Sequence, residues 1–105
     1  MTWQEYYEFT TQTNTKPVLE HMTYGLFEEA GEVAGKCKRL YREHDGLPNV
    51  EWEEALKLEL GDVLWNLVEL SKYFGWELEE IRDANVQKLR DRVARGVIVG
   101  TGDKR

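Results

Sequence analysis

The stretch ELGDVLWNLVEL, residues 59–70, decides how the chain folds. Its apolar and acidic side chains recur with a helical period, and the pattern extends over residues 51–74. At 100° per residue, Leu56, Leu60, Val63, Leu67, Leu70 and Phe74 form one apolar stripe. Leu58, Leu64, Trp65 and Val68 form a second on another side. Between the two runs a narrow polar stripe of Glu59, Asp62, Asn66, Glu69 and Tyr73. A helix apolar on two sides is expected to be covered on two sides. Its polar stripe then faces a cleft between helices and not bulk solvent.

The rest of the chain reads as helix as well. A first helix over about 2–13 carries Trp3, Tyr6, Tyr7 and Phe9, aromatic residues at core or interface spacing, and ends before TNTKP. A second runs from about 18 to 43 and stops at the turn cluster HDGLPN. Met22, Leu26, Ala30, Val33, Cys37 and Leu40 form its core stripe, flanked by Gly25, Glu29, Glu32, Lys36 and Glu43. The 51–74 helix ends at Gly75, and a fourth covers about 77–95 before Gly96 and a glycine-punctuated tail, 97–105. No alternating strand pattern and no internal repeat is present. The expectation is a single all-α domain over residues 1–105, a four-helix bundle-like unit. Its surplus apolar surface calls for completion by oligomerisation.

Composition narrows the function. The net charge is −6, but residues 1–81 hold 7 basic and 17 acidic side chains while residues 82–105 hold 7 basic and 3 acidic. An acidic body excludes a broad nucleic-acid face. The basic end suits one small anionic ligand. No apolar run approaches the ~20 residues of a membrane span, and the start MTWQEYYEFT lacks the order of a signal peptide. The lone Cys37 has no disulfide or CxxC partner, so a cytoplasmic setting is expected and Cys37 reads as core. His21 and His44 have no partners at ligand spacing, and GVIVGTGDKR lacks the GK[ST] ending of a phosphate-binding loop.

Two acidic pairs remain, Glu29/Glu32 and Glu59/Asp62, each spaced i,i+3 so that both carboxylates leave one side of a helix. One such pair is commonplace on a solvated face. Two pairs on two helices, each beside an apolar stripe, point to one cavity where four carboxylates repel unless a divalent cation joins them. An all-oxygen set suits Mg²⁺ or Mn²⁺, whereas Zn²⁺ favours His and Cys. Glu28 lies off the stripe. Glu69, two turns from Asp62, reads as an outer or solvent-facing acid. On the fourth helix Asn85, Lys88 and Arg92 share a stripe in line with Leu78 and Ile81. The partners of these inward cations are either the carboxylates themselves or the phosphates of a ligand.

GLFEEAGEVAGKCKR, then ELGDVLWNLVEL, then NVQKLRDR resembles the MazG-like nucleoside triphosphate pyrophosphohydrolases of the all-α NTP pyrophosphatase superfamily over nearly the whole chain. The family's ExxE…ExxD metal site falls on Glu29, Glu32, Glu59 and Asp62, and its Asn-x-x-Lys-x-x-x-Arg pattern on Asn85, Lys88 and Arg92. Glu28 departs from it, standing where many relatives carry a small residue. The resemblance implies Mg²⁺-dependent hydrolysis of an NTP or dNTP to monophosphate and pyrophosphate, in a homodimer or homotetramer. Asn66 joins Asn85, Lys88 and Arg92 as an expected substrate-binding residue. The alternatives are a phosphoribosyl-ATP pyrophosphohydrolase and a non-catalytic helical interaction protein.

Overall fold

Local signals fix four helices, and a computed structural model describes them over all 105 residues. Thr2 caps α1 (Trp3–Thr13), accepting from the backbone N–H of Glu5. The segment before Pro17 separates it from α2 (Leu19–His44). Asp45 and Gly46 then turn left-handed, at φ 54° and 74°, and both N–H groups reach back to Leu40 O. At Gly46 a side chain is excluded twice over, by the positive φ and by the Tyr41 ring, which a Cβ would meet at 2.6 Å. Asn49 caps α3 (Val50–Tyr73), its Oδ1 accepting from Trp52 N–H at 2.8 Å. Glu80 reaches back to the N–H of Glu77 at the start of α4 (Leu78–Ala94). The expected boundaries hold to within one or two residues, and the protein is all-helical without a strand.

Two compact units result, Met1–Gly75 and Trp76–Arg105. In the first, the five-residue connection between α2 and α3 makes them an antiparallel hairpin. Trp52 Nε1 donates to Lys36 O at 3.1 Å near the turn, while Gly25 faces Asn66 far from it. α1 lies antiparallel on α3. Trp65 Nε1 donates to Thr13 Oγ1 at 2.7 Å, and Lys72 Nζ donates to Tyr7 O at 2.8 Å.

The polar stripe of α3 lies only partly between helices. Glu59 is half-buried and Asn66 and Glu69 are buried, while Asp62 and Tyr73 are exposed. Of the apolar flanks, Leu58, Leu60 and Phe74 are not covered by the neighbouring helices. Met22, Leu40 and Val68 are fully buried, and Thr10, Asn66, Glu69 and Ser71 are buried with them. Glu69 is not solvent-facing. It is 5% exposed and receives hydrogen bonds from Asn14 and Lys72, because α1 crosses α3 at this turn. Cys37 is likewise not a core residue but exposed, since α2 carries a wider apolar stripe than α3 covers. In the second unit Arg92 is buried against the tail.

Candidate metal centre

The α2–α3 register decides which acids meet. Glu29, Glu59 and Asp62 each bring one carboxylate oxygen within 4.8 Å of the others. Glu29 and Glu59 are half-buried and Asp62 is exposed, so the cluster sits at the mouth of the groove between the helices. Burial raises the Glu29 carboxyl above its ordinary range, and the neighbouring charges of Asp62, Glu59, Glu28 and Glu32 raise it further. Against these negative charges the cluster has one nearby cation, Lys36, whose Nζ is 3.8 Å from Glu59 Oε1. Three convergent carboxylate oxygens with so little compensation fit a hard divalent cation.

Glu32 and Glu28 lie on the same helix face region but outside this close group, and both are exposed. Glu28 instead lines a cleft of about 320 Å³ that continues from Glu29 and Asp62 along the groove. His21, Tyr24 and Trp65 form its other walls, with Asn66 and Gly25 between them. Asn66 is 7% exposed, and its Nδ2 donates to Asp62 O at 2.9 Å.

The remaining expected residues belong to the second unit. Asn85 and Lys88 are exposed and Arg92 is buried. Lys88 Nζ and Arg92 Nη2 both contact Asp103 Oδ1, at 3.2 and 3.4 Å, and Arg92 also donates to Gly102 O. These two cations hold the Asp103 carboxyl below its usual range, Lys88 most strongly. The pair thus shares one carboxylate, supplied by the tail.

Sequence reading missed several participants. Lys36 stood on the acidic stripe without an assigned partner. Trp65 read as apolar surface, yet its ring walls the cleft and is pinned by Thr13. His21 lacked ligand spacing but lines the cleft as a wall. Asp103 gave no signal, because a tail residue's contacts depend on how the tail folds back.

The model of the MazG nucleotide pyrophosphohydrolase domain matches residues 18–96, which include α2, α3 and α4 with every acid of the cluster. The Gene 37 protein of Mycobacterium phage L5 is 41% identical over 87 residues, 83% of this chain and 76% of that protein. No solved structure matches the chain. The domain match spans well over half the sequence and agrees with the helical fold and the paired acids on α2 and α3, so this chain belongs to the MazG nucleotide pyrophosphohydrolase family.

Proposed function

We infer that the protein is a divalent-cation-dependent nucleoside triphosphate pyrophosphohydrolase, converting an NTP or dNTP and water to the monophosphate and pyrophosphate. The observation that carries this reading is the convergence of Glu29, Glu59 and Asp62 beside an open cleft, in a MazG domain. These three residues would hold the cation, Mg²⁺ or Mn²⁺. When bound it supplies charge neutralisation for the triphosphate and acidifies a nearby water. Glu32, three residues along α2 from Glu29, either completes the set or accepts the proton of the attacking water. Attack at the α-phosphorus forms the new P–O bond, and the α–β anhydride breaks to release pyrophosphate. Lys88 and Arg92 are assigned to the outer phosphates, and their shared hold on the Asp103 carboxylate supports their use as an anion-binding pair. Asn85 and Asn66 are assigned to hydrogen bonds with the substrate. A homodimer or homotetramer is supported by large apolar side chains left in water, such as Phe27 at 84% and Leu58 at 73% exposure.

The test is a panel of NTPs, dNTPs and phosphoribosyl-ATP, with and without Mg²⁺, read as monophosphate and pyrophosphate release. Cation-dependent release from at least one nucleotide is expected, with Asp62→Ala lowering kcat/KM by about 10³-fold or more. Full activity in Asp62→Ala would sink the assignment. Release confined to phosphoribosyl-ATP would move the protein to that substrate. Release from none would leave a non-catalytic interaction protein.

A further inference from the structure

The geometry points to Asn66 as the residue that reads a sugar hydroxyl of the nucleotide, and to Gly25 as the residue that holds it in position to do so. This assignment rests on the nucleotide reading above. The Asn66 amide has one possible orientation. Its Nδ2 donates to Asp62 O at 2.9 Å, and a carbonyl oxygen takes only a donor, so Oδ1 must point the other way, across the groove to α2. There it meets Gly25, where a Cβ would lie 2.2 Å from Oδ1. Any side chain at position 25 would expel the amide from this place. With Nδ2 engaged on α3, Oδ1 is the acceptor that Asn66 presents to the cleft it lines.

Position along the groove identifies the group that Oδ1 meets. Asn66 follows Asp62 by four residues, about 6 Å along the helix, on the side away from Glu59. For a nucleotide whose α-phosphate lies at the three carboxylates, the furanose comes next, and the base extends further along the groove. The far cleft, walled by Trp65, Tyr24 and His21, is where the base lies, with the Trp65 ring fixed by Thr13. With Glu29 and Asp62 given to the cation, Glu28 and Asn66 Oδ1 are the acceptors left in this lining, and each calls for a group that donates. A sugar hydroxyl meets that requirement at the depth of Asn66. Gly25 acts through Asn66 and is a positioning residue.

The experiment compares four sugars carrying one base: ribose, 2′-deoxyribose, 3′-deoxyribose and 2′,3′-dideoxyribose. Two readouts are taken, hydrolysis of the triphosphates and equilibrium binding of the 5′-monophosphates. The full-length wild type is expected to lose about tenfold in kcat/KM and in monophosphate affinity when the hydroxyl facing Oδ1 is removed. The 2′- and 3′-deoxy arms identify which hydroxyl that is. Asn66→Ala and Gly25→Ala should each bring the ratio between hydroxylated and dideoxy nucleotides close to one. Thermal melting of both variants accompanies the assay, and a lost sugar ratio in variants that keep a cooperative transition assigns the effect to the amide and not to the fold. Equal handling of all four sugars by the wild type would overturn the assignment, even with hydrolysis intact. An Asn66→Ala variant that weakens all four equally would overturn it too, leaving Asn66 as a support for Asp62. Monophosphate binding that discriminates the sugars without pyrophosphate release would remove the hydrolase reading and keep this one. Absence of any nucleotide binding would overturn both.

Discussion

Glu29 is where charge and burial conflict most directly. It is half-buried, and four other acids, Asp62, Glu59, Glu28 and Glu32, add to the burial that raises its carboxyl above the ordinary 4.5. An acid with a raised pKa in the folded state destabilises that state once ionised. Metal-free protein should therefore lose stability as pH rises from 4.5 through the raised Glu29 value, and regain it on acidification. Glu29→Gln removes that cost. In chelator at pH 7 the variant should melt higher than wild type. Adding Mg²⁺ should reverse the order, because the wild type gains a ligand and the variant lacks one. A scanning-calorimetry pair in chelator and in Mg²⁺ reads both effects, and an unchanged order would show that Glu29 holds no cation.

Between elements, the contact of α1 with α3 depends on polar groups. Lys72 donates to Tyr7 O, to Thr10 Oγ1, to Thr11 Oγ1 and to Glu69, while Asn14 Nδ2 donates to Glu69 Oε2 at 3.2 Å. Burial pushes the Glu69 carboxyl up, but hydrogen bonds from Thr10, Lys72 and Asn14 outweigh it and hold it below its usual range. A lowered acid pKa contributes stability that is complete above the unfolded value of 4.5 and is lost as pH falls through the folded value. Urea denaturation from pH 6 to pH 3 should show this loss, and Lys72→Met should reduce its size. The variant should also cost about 2–3 kcal/mol at pH 7, since a buried carboxylate is left with fewer partners. At the other end of α3, Asn49→Ala removes the cap on Trp52 N–H. It should cost about 1 kcal/mol with no change in cation affinity.

Across the whole molecule, ligand binding and self-association are both linked to stability. A cation that binds only the folded hairpin stabilises it by mass action, about 2.7 kcal/mol at a hundredfold excess over Kd. Mg²⁺ titration should raise the melting temperature of the wild type in step with concentration and leave Asp62→Ala unmoved. Sedimentation is expected to show a species larger than the monomer, with Leu58→Glu driving it toward one chain. Leu58 is 73% exposed, and a charge there has no cost in a monomer. No helix is long and apolar enough to cross a membrane, so these apolar side chains do not form a transmembrane span.

The sequence by itself determined the helices and their ends, because periodicity, caps and left-handed glycines act within a few residues of one another. The turn cluster HDGLPN, Gly75 and Gly96 marked boundaries that the structure keeps, while the Asn49 cap came only with the structure. The helical period also placed Glu59, Asp62, Asn66 and Glu69 on one stripe, of which the structure buries Asn66 and Glu69, half-buries Glu59 and leaves Asp62 at the mouth of the groove. Which acids meet was decided only by tertiary structure. The α2–α3 register joins Glu29, Glu59 and Asp62, while Glu32, equally prominent in the motif, lies outside the close group. Spacing along one helix says nothing of how far that helix slides against another. For the same reason only the fold reveals that Gly25 makes room for Asn66, that Thr13 pins Trp65, and that Asp103 lies on Lys88 and Arg92. Each of these is a contact between segments remote in sequence, set by packing and not by local preference.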